Sequence, residues 1–431
     1  MTSSESTEYG RGARILAIGI GVTGLVTYAY FSLASHALDD DDYGRISLLW
    51  SAIFITVSVL YRPVEQLLSR TIADRDARGL TGSGHLRVAA TIQLALGVVF
   101  VIGALIARDA LQDDLLGGSE TLYWVLIVAV LAYAASYFTR GYLAGHGMFG
   151  LYGGLVFFEA CARVMFALLA VVGVASGESF VALGMAAAPI VSLVVVPWAV
   201  TRHARAGAAG GPSAAPDGEA EFTLARGAGF AAAVLLIMVA EQTFLNAGPL
   251  LLKATADTNG AALAGFAFNV LLIARAPLQL FQAIQTSILP HLTKSHAGGE
   301  AEQFRRSINV TLAAIGVFAL GVALTMLVLG PWLMGLFFGS EFDYDRGGLV
   351  LVSLGMGMYL AAATLNQAAL ARGRAAQAAA CWAAAAIVFV IALVGWEWDD
   401  RILQVEVAYL SGALLLCALL YGLYRATDAR H

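Results

Sequence analysis

Long apolar stretches without charged residues recur along the whole chain, and short charged or glycine-rich segments separate them. A stretch of about 18 or more apolar residues is long enough to cross a bilayer as a helix. The pattern therefore predicts an all-α polytopic membrane protein with about twelve transmembrane helices. The predicted spans lie near residues 14–37, 44–70, 85–107, 120–143, 150–175, 180–202, 226–252, 262–290, 304–330, 348–371, 375–396 and 403–425.

The composition favours a membrane protein over a water-soluble one. Of the 431 residues, 59% are hydrophobic and only 13% are charged, whereas soluble domains carry about 25% charged residues. The three cysteines, Cys161, Cys381 and Cys417, lie far apart in apolar runs and lack the spacing of a disulfide framework or a metal site. We therefore expect no metal and no cofactor.

The basic residues indicate how the chain is oriented. Arg62, Arg163 and Arg275 lie within predicted spans, and most of the other lysines and arginines fall on one set of loops and helix ends. The opposite loops are acidic, for example LDDDDYG and EWDDR. Loops rich in Lys and Arg stay in the cytoplasm, so both termini are predicted to be cytoplasmic.

A segment of different composition divides the chain near its midpoint. Residues 203–225 are rich in Gly, Ala, Pro and Ser and have no apolar face, which is typical of a flexible linker. We predict a cytoplasmic linker there, an N-terminal six-helix bundle over residues 1–202 and a C-terminal six-helix bundle over residues 226–431.

Weak internal similarity relates the two halves. The Arg-Pro pair at Arg62 in the second span is matched by Arg-Ala-Pro at Arg275 in the eighth span. Arg140 and Asn366 occupy corresponding positions of the fourth and tenth spans. Because each half has six spans, both halves run in the same direction, which predicts parallel repeats.

Charged residues within predicted spans are informative, because each is costly in lipid unless it is paired or faces water. Glu159 and Arg163 are four residues apart on one helix face, a spacing that favours an intrahelical ion pair, although a site role stays open. Arg62 and Glu65, three apart, form either a similar pair or a site in which Arg62 extends toward the headgroups.

A second polar group lies in the eighth span. Arg275 has no carboxylate within four residues, and Gln279, Gln282 and Gln285 follow it at roughly helical spacing. Such a stripe faces an aqueous cavity or other helices rather than lipid. Glu241 is a lone carboxylate in the seventh span that either titrates or pairs across helices, for example with Arg275.

Prolines stand beside two of these arginines. Pro63 and Pro277 each remove one backbone hydrogen bond and bend a helix. We predict a hinge at each proline, and each bend would turn Arg62 or Arg275 toward the space between the two halves.

Motifs of soluble enzymes do not fit this chain. GIGVTG at residues 19–24 matches a dinucleotide fingerprint but lies inside a span without a preceding strand. Close helix packing through small residues explains it better, and the same holds for GLYGG at residues 150–154. The sequence contains no GxSxG, HExxH or P-loop motif, so we predict no catalytic residue and a protein that is not an enzyme.

Three stretches of the sequence carry a resemblance to a known family. They are LYRPVEQLLSRTIADRDARG after the second span, APLQLFQAIQTSILPHLTKSHAGG in the eighth-span region and VLGPWLMGLFFGSEFD after the ninth span. They resemble the corresponding regions of bacterial polysaccharide-unit flippases. Those proteins belong to the multidrug, oligosaccharidyl-lipid and polysaccharide exporter superfamily.

The resemblance implies two six-helix bundles around a central cavity that opens alternately to each side of the bacterial cytoplasmic (inner) membrane. The implied substrate is a polyprenyl-diphosphate-linked oligosaccharide that moves from the inner to the outer leaflet. Arginine binds phosphate oxygens in a bidentate manner, which suits a cationic cavity. The cavity residues predicted in this way are Arg62, Arg140, Arg275, Gln279, Gln282 and Asn366. Peptidoglycan-precursor flippases have fourteen spans, so this chain departs from that branch.

The expected partners are the lipid-linked oligosaccharide, membrane lipids and either a polysaccharide polymerase or glycosyltransferases, without nucleic acid. The alternative is a proton- or sodium-coupled multidrug exporter of the same superfamily, in which Glu241 or Glu65 would act as the coupling carboxylate. A glycan polymerase and a scaffold without transport activity are two further hypotheses.

Overall fold

The computed structural model describes residues 3–77, 83–198, 201, 224–255, 260–273, 301–339, 344–395 and 398–428. These ranges are helical and contain no strand, which confirms the all-α prediction. The helices are α1 (Ser3–Ala37), α2 (Asp40–Leu60), α3 (Arg62–Ala77), α4 (Gly84–Ile106), α5 (Glu120–Gly145), α6 (Phe149–Val171), α7 (Glu178–Ser192), α8 (Leu224–Thr255), α9 (Gly260–Ile273), α10 (Ala301–Phe338), α11 (Arg346–Ala371), α12 (Ala375–Val394) and α13 (Arg401–Asp428).

The helices are long and apolar enough for a multi-pass membrane protein. Ten helical segments within the described ranges meet the length and composition expected of membrane spans, and α9 is a shorter apolar helix. α1 contains the first predicted span, and α9 covers residues 262–273 of the eighth, whose remaining residues lie outside the described ranges. The loop between α4 and α5 contains a short π-helix, Ala110–Leu115.

The chain forms two compact units. Unit 1 comprises Met1–Tyr30 and Ala52–Gly227, and unit 2 comprises Phe31–Ser51 and Ala228–His431. The hairpin between α1 and α2 is therefore part of unit 2, although it lies within the predicted N-terminal bundle. The predicted bundle limits stay a prediction, and residues 203–223 of the predicted linker lie outside the described ranges.

In unit 1, α5 packs against α3, α4, α6 and α7. Small residues allow the helices to approach closely. A Cβ atom at Gly145 of α5 would lie 2.6 Å from the Cβ of Ile72 in α3. Gly19 of α1 faces the backbone of Gly153 in α6, where a Cβ would lie 3.3 Å from the Cα of Gly153. The close helix packing that the sequence predicted for the GIGVTG stretch is thus confirmed at Gly19.

The second predicted span is interrupted near Pro63. α2 ends at Leu60, Tyr61 forms a turn and α3 begins at Arg62. The backbone N–H of Glu65 still donates to the carbonyl oxygen of Tyr61 at 2.9 Å. Pro63 thus lies in the first turn of α3, where a missing N–H costs little. The interruption lies where the sequence predicted a hinge, and the hinge motion itself stays a prediction.

In unit 2, α11 packs against α10, α12 and α13. The candidate span in α10 exposes most of its surface. In the most apolar 18-residue stretch of α10, only 17% of the residues are buried, compared with 67% in the corresponding stretch of α11. α10 thus presents a broad apolar face to the outside of the unit, whereas α11 forms its centre.

Segment Phe31–Ser51 is anchored in unit 2 by hydrogen bonds. The hydroxyl of Tyr43 donates to Oδ1 of Asn269 in α9, and Nδ2 of Asn269 donates to the hydroxyl of Tyr344 at 3.2 Å. The hydroxyl of Ser32 donates to the carbonyl oxygen of Phe337 at 2.6 Å. Tyr43 of α2 and Tyr344 therefore meet at Asn269 of α9, and Ser32 binds the end of α10.

Backbone contact also holds this segment. Gly44 lies against α9 so closely that a Cβ atom there would be 1.9 Å from the carbonyl oxygen of Ala261. Gly265 faces Gly44 in the same way, because its Cβ would lie 3.0 Å from the Cα of Gly44. This contact between α2 and α9 requires glycine, since a backbone carbonyl cannot move aside as a flexible side chain can.

We expect the substitution Gly44→Ala to destabilise the protein by about 1–3 kcal/mol, the usual cost of overpacking a core. The measurement is thermal unfolding of the purified protein in detergent. Gly103→Ala is the matched control, because a Cβ at Gly103 of α4 meets nothing within 4 Å and alanine favours a helix. Equal midpoints for Gly44→Ala and Gly103→Ala would contradict the close contact.

Candidate functional site

Unit 1 contains a group of buried and half-buried charged and polar side chains on α3, α5 and α6. We call it the unit 1 cluster. Its members are Glu65 on α3, Tyr137 and Arg140 on α5, and Tyr152 and Glu159 on α6.

An ion pair between neighbouring helices forms the centre of the cluster. A terminal nitrogen of Arg140 donates to Oε2 of Glu159 at 2.5 Å, and their side chains are 11% and 2% exposed. The hydroxyls of Ser136 and Ser192 donate to the other oxygen, Oε1, of Glu159. Because three donors from α5 and α7 reach this carboxylate, its negative charge is compensated inside the unit.

Arg140 keeps donors that the ion pair does not use. Its guanidinium group lies over the ring of Tyr137, 4.5 Å from the ring centre. Its Nε is buried and has no hydrogen-bond partner in the part of the chain that the structure describes. A guanidinium has five N–H donors in a planar fork, so this edge of Arg140 can bind a further acceptor.

Glu65 forms the second carboxylate of the cluster. Its Oε1 accepts a hydrogen bond of 2.8 Å from the hydroxyl of Tyr152 on α6. Arg140 and Arg62 both lie near enough to attract its charge. The structure therefore adds Arg140 of α5 to Arg62 and Glu65, which the sequence had already indicated as one candidate pair.

Arg163 lies next to the cluster on α6. Its guanidinium is buried and donates to the hydroxyl of Tyr133 at 2.7 Å. The four-residue spacing predicted a pair between Glu159 and Arg163. The structure pairs Glu159 with Arg140 on α5, because the Glu159 carboxylate points to the donors on the neighbouring helices.

The charges of this region favour an anion over a cation. Among the described residues of this region, the three arginines Arg62, Arg140 and Arg163 stand against two carboxylates, Glu65 and Glu159, so one positive charge is in excess. The spare donors of Arg140 and the ring of Tyr137 suit a planar or phosphate-like acceptor. Chemically, the cluster can bind a group with negative oxygens or exchange one ion pair for another.

Other predicted site residues lie in unit 2 or outside the described ranges. Asn366 is buried on α11, and its Oδ1 has no partner within the described part of the chain. Glu241 is half-buried on α8. The predictions for Arg275, Pro277 and the glutamines that follow fall on residues outside the described ranges. The roles of all these residues stay predictions.

The structure also reveals a buried carboxylate that the sequence did not indicate. Glu406 on α13 is 4% exposed, and its charged neighbours are the carboxylates of Asp345 and Asp400. A Cβ atom at Gly348 would lie 2.0 Å from its Oε2. Glu406 stands five residues after Arg401, so in the sequence it resembles part of a charged helix end. Only the packing of α11 on α13 shows its burial.

Comparisons with known proteins agree with this architecture. No family model matches the chain. Proteins from two strains of Mycobacterium tuberculosis, both described as uncharacterized, are 28% identical over 333 residues, covering 76% of this chain and 71% of theirs.

Solved structures with the same fold are transporters of the MOP superfamily. An inward-facing MATE multidrug resistance transporter aligns with a TM-score of 0.66 at 14% identity, covering 97% of this chain and 99% of its own. A variant of the Vibrio cholerae MATE transporter VcmN aligns with a TM-score of 0.65 at 16% identity, covering 99% of both chains.

A Pyrococcus furiosus transporter of the same superfamily aligns with a TM-score of 0.65 at 15% identity, covering 98% of this chain and 96% of its own. The binding pocket of that Pyrococcus furiosus transporter has a reversed polarity, which suggests a different function for it. At these identities the likeness concerns the fold. The fold of the chain is thus that of the MATE transporters of the MOP superfamily.

Proposed function

We propose that this chain, with its MATE-like fold, is a membrane transporter that moves an amphiphile across the bilayer by alternating access. The unit 1 cluster is the observation that carries the proposal. Ionised groups within a membrane span are costly and commonly mark a substrate or ion pathway. Arg140 in particular has donors beyond those that its partner Glu159 uses. The short loops hold no catalytic motif, so transport rather than catalysis fits these residues.

One candidate function is multidrug export coupled to protons or sodium. The MATE multidrug transporters among the structural neighbours favour it. Such an exporter needs a carboxylate that exchanges a cation for the drug. Glu65 is suited to this role because its known hydrogen bond comes from a neutral hydroxyl, that of Tyr152. Glu241 on α8 is the second carboxylate available for it.

The second candidate function is the flipping of a polyprenyl-diphosphate-linked oligosaccharide. The excess of arginine over glutamate in and beside the unit 1 cluster favours it, since a diphosphate needs cationic, bidentate donors. The Pyrococcus furiosus protein supports the idea that pocket charge can differ within this fold. This function would place the protein in the bacterial cytoplasmic membrane, beside the enzymes that build or polymerise the oligosaccharide.

Depletion of the protein from its host separates the two candidates. We expect a flippase to cause accumulation of a polyprenyl-diphosphate oligosaccharide, measured by lipid mass spectrometry, together with loss of a surface polymer. We expect a drug exporter to leave the lipid pool unchanged and to raise susceptibility to cationic drugs. An unchanged lipid pool together with unchanged drug susceptibility would contradict both candidates.

Two variants identify the responsible residues. Arg140→Gln should reproduce the lipid accumulation if the substrate is a diphosphate, whereas Glu65→Gln should reproduce the drug susceptibility if a carboxylate exchanges the cation. Gly103→Ala, which faces open space on α4, serves as the control for expression in the membrane. Full activity of both charge variants would exclude the unit 1 cluster as the transport site.

A further inference from the structure

Unit 1 contains an apolar groove between α4 and α5 that the transport proposal does not use. Its volume is about 560 Å³, within the range of about 300–1,000 Å³ that small-molecule sites occupy. Among the residues that the structure describes, no charged side chain lines it. Leu94, Val98 and Ile102 of its α4 wall are exposed, so the groove is open to the surrounding lipid.

Gln93 places an unused acceptor at this groove. The residue lines the groove but is only 4% exposed. Its Nε2 donates to the carbonyl oxygen of Ala134 at 2.5 Å, which fixes the orientation of the amide. Its Oε1 is buried and has no partner among the residues that the structure describes.

Tyr61 places an unused hydroxyl behind the same groove. Its side chain is fully buried, and within the described ranges its hydroxyl has no hydrogen-bond partner. Gly97 lines the groove and lies directly beside this hydroxyl. A Cβ atom at Gly97 would lie 3.4 Å from Cδ2 of Leu131, a groove residue, and 3.6 Å from the Tyr61 hydroxyl. Because glycine has no side chain, the floor of the groove is thin at this position.

We propose that this groove binds a neutral, membrane-soluble amphiphile that has a long apolar chain and one hydroxyl group. A hydroxyl both donates and accepts, so it satisfies the Oε1 acceptor of Gln93 and the O–H donor of Tyr61. Buried polar groups without partners are rare in folded proteins and call for an explanation. The lack of charged lining residues excludes an ionic headgroup from the groove, and the apolar walls take the chain.

The geometry assigns a separate task to each residue. Gln93 and Tyr61 recognise the hydroxyl, Gly97 gives it access to them, and Leu94 and Leu131 contact the chain. The ligand enters sideways from the bilayer, since the exposed wall of the groove faces lipid. This site differs from the unit 1 cluster, although the ring of Tyr61 lies 6.4 Å from that of Tyr137.

Photolabelling of the full-length protein in phosphatidylcholine nanodiscs tests the proposal. The probe is a long-chain alcohol with a diazirine at mid-chain, and the labelled peptides are identified by mass spectrometry. We expect labelling of residues 90–102 and 131–138. Hexadecanol should compete at about fivefold lower concentration than hexadecane, since one net hydrogen bond is worth roughly a factor of two to ten.

Variants separate recognition of the hydroxyl from contact with the chain. Gln93→Leu and Tyr61→Phe should retain labelling but abolish the preference for hexadecanol over hexadecane. Gly97→Leu should abolish labelling, whereas Gly103→Leu on the same helix should not, because nothing lies within 4 Å of a Cβ there. If Gly97→Leu fails to fold, Gly97→Ala replaces it. Gly97→Ala should fold, since its Cβ makes only ordinary contacts, and should weaken the preference for hexadecanol, because that Cβ lies 3.6 Å from the Tyr61 hydroxyl.

Equal competition by hexadecanol and hexadecane in the unmodified protein would overturn the proposal. Labelling spread evenly over all lipid-facing helices would also overturn it, as it would show ordinary lipid contact only. Neither result depends on transport activity, so the outcome is independent of the function proposed for the unit 1 cluster.

Discussion

Replacing Arg140 with alanine is expected to destabilise the protein by about 3–5 kcal/mol, the typical cost of removing one partner of a buried ion pair. The reason is that Glu159, 2% exposed, would lose its cation and keep only the hydroxyls of Ser136 and Ser192. Transport should be lost as well. The measurements are thermal unfolding in detergent and the depletion phenotype in cells that carry the variant.

A double variant distinguishes the structural and functional roles of this pair. Arg140→Leu combined with Glu159→Leu removes both charges, and replacing a buried pair by apolar residues is often neutral for stability. We therefore expect its unfolding midpoint to recover while transport stays absent. A double variant that is stable and fully active would show that the pair only holds α5 and α6 together.

Arg140→Lys refines this result. Lysine keeps the positive charge that Glu159 needs but lacks the planar fork and its spare edge. Stability should be close to that of the unmodified protein, and activity toward a diphosphate substrate should fall. For a cationic drug, whose binding does not require the fork, the same change should have little effect.

Replacing Asn269 with alanine is expected to have the second large effect, a loss of about 2–4 kcal/mol of stability. The reason is that each unsatisfied buried polar group costs about 1–3 kcal/mol. The substitution leaves the hydroxyls of Tyr43 and Tyr344 without their common partner. Segment Phe31–Ser51 should then exchange its amide hydrogens faster, measured by hydrogen–deuterium exchange with mass spectrometry.

The apolar counterpart serves as the control for Asn269. Asn269→Leu combined with Tyr43→Phe and Tyr344→Phe removes all the polar atoms of this chain of hydrogen bonds. This triple variant should regain much of the lost stability. Buried apolar groups need no hydrogen bonds, whereas a buried polar network with missing partners costs free energy. If Asn269→Ala alone leaves the exchange of segment Phe31–Ser51 unchanged, the hydrogen bonds do not anchor it.

The sequence predicted the helices well, because a membrane span is a local property. About 20 apolar residues in a row leave few alternatives to a transmembrane helix, and the described parts of the predicted spans are helical. The same logic singled out Arg62, Glu65, Arg140, Glu159 and Arg163, since charge within lipid needs an explanation. Four of them, Arg62, Glu65, Arg140 and Glu159, lie near one another in unit 1, and Arg163 lies on α6 one turn after Glu159.

The partners of these charges could not be predicted, because they come from other helices. The four-residue spacing rule relates residues along one helix only. It therefore predicted Arg163 as the partner of Glu159 and could not predict Arg140, which lies nineteen residues away on another helix. Tyr152 and Ser192 carry no signal, since neutral polar residues are common in spans. The burial of Glu406 depends on the approach of Gly348, which has no trace in the local sequence.

The assignment of segment Phe31–Ser51 to unit 2 also needed the structure. In the sequence, a hairpin between two spans belongs to the half that contains both spans. The contact of Gly44 with Ala261 joins positions 217 residues apart, and no periodic pattern encodes such a pairing. Gly44 itself looks like an ordinary residue of a polar hairpin.

The contrast between α10 and α11 bears on how the chain enters the membrane during synthesis. Only 17% of the most apolar stretch of α10 is buried by protein, so lipid can surround most of this helix. In α11 protein buries 67% of the corresponding stretch. α10 should therefore leave the translocon sideways without help, and α11 should remain near it until α12 and α13 have emerged. A chain truncated after α11 would then be a substrate for membrane quality control, whereas one that ends after α10 would lack a helix whose protein partners are missing.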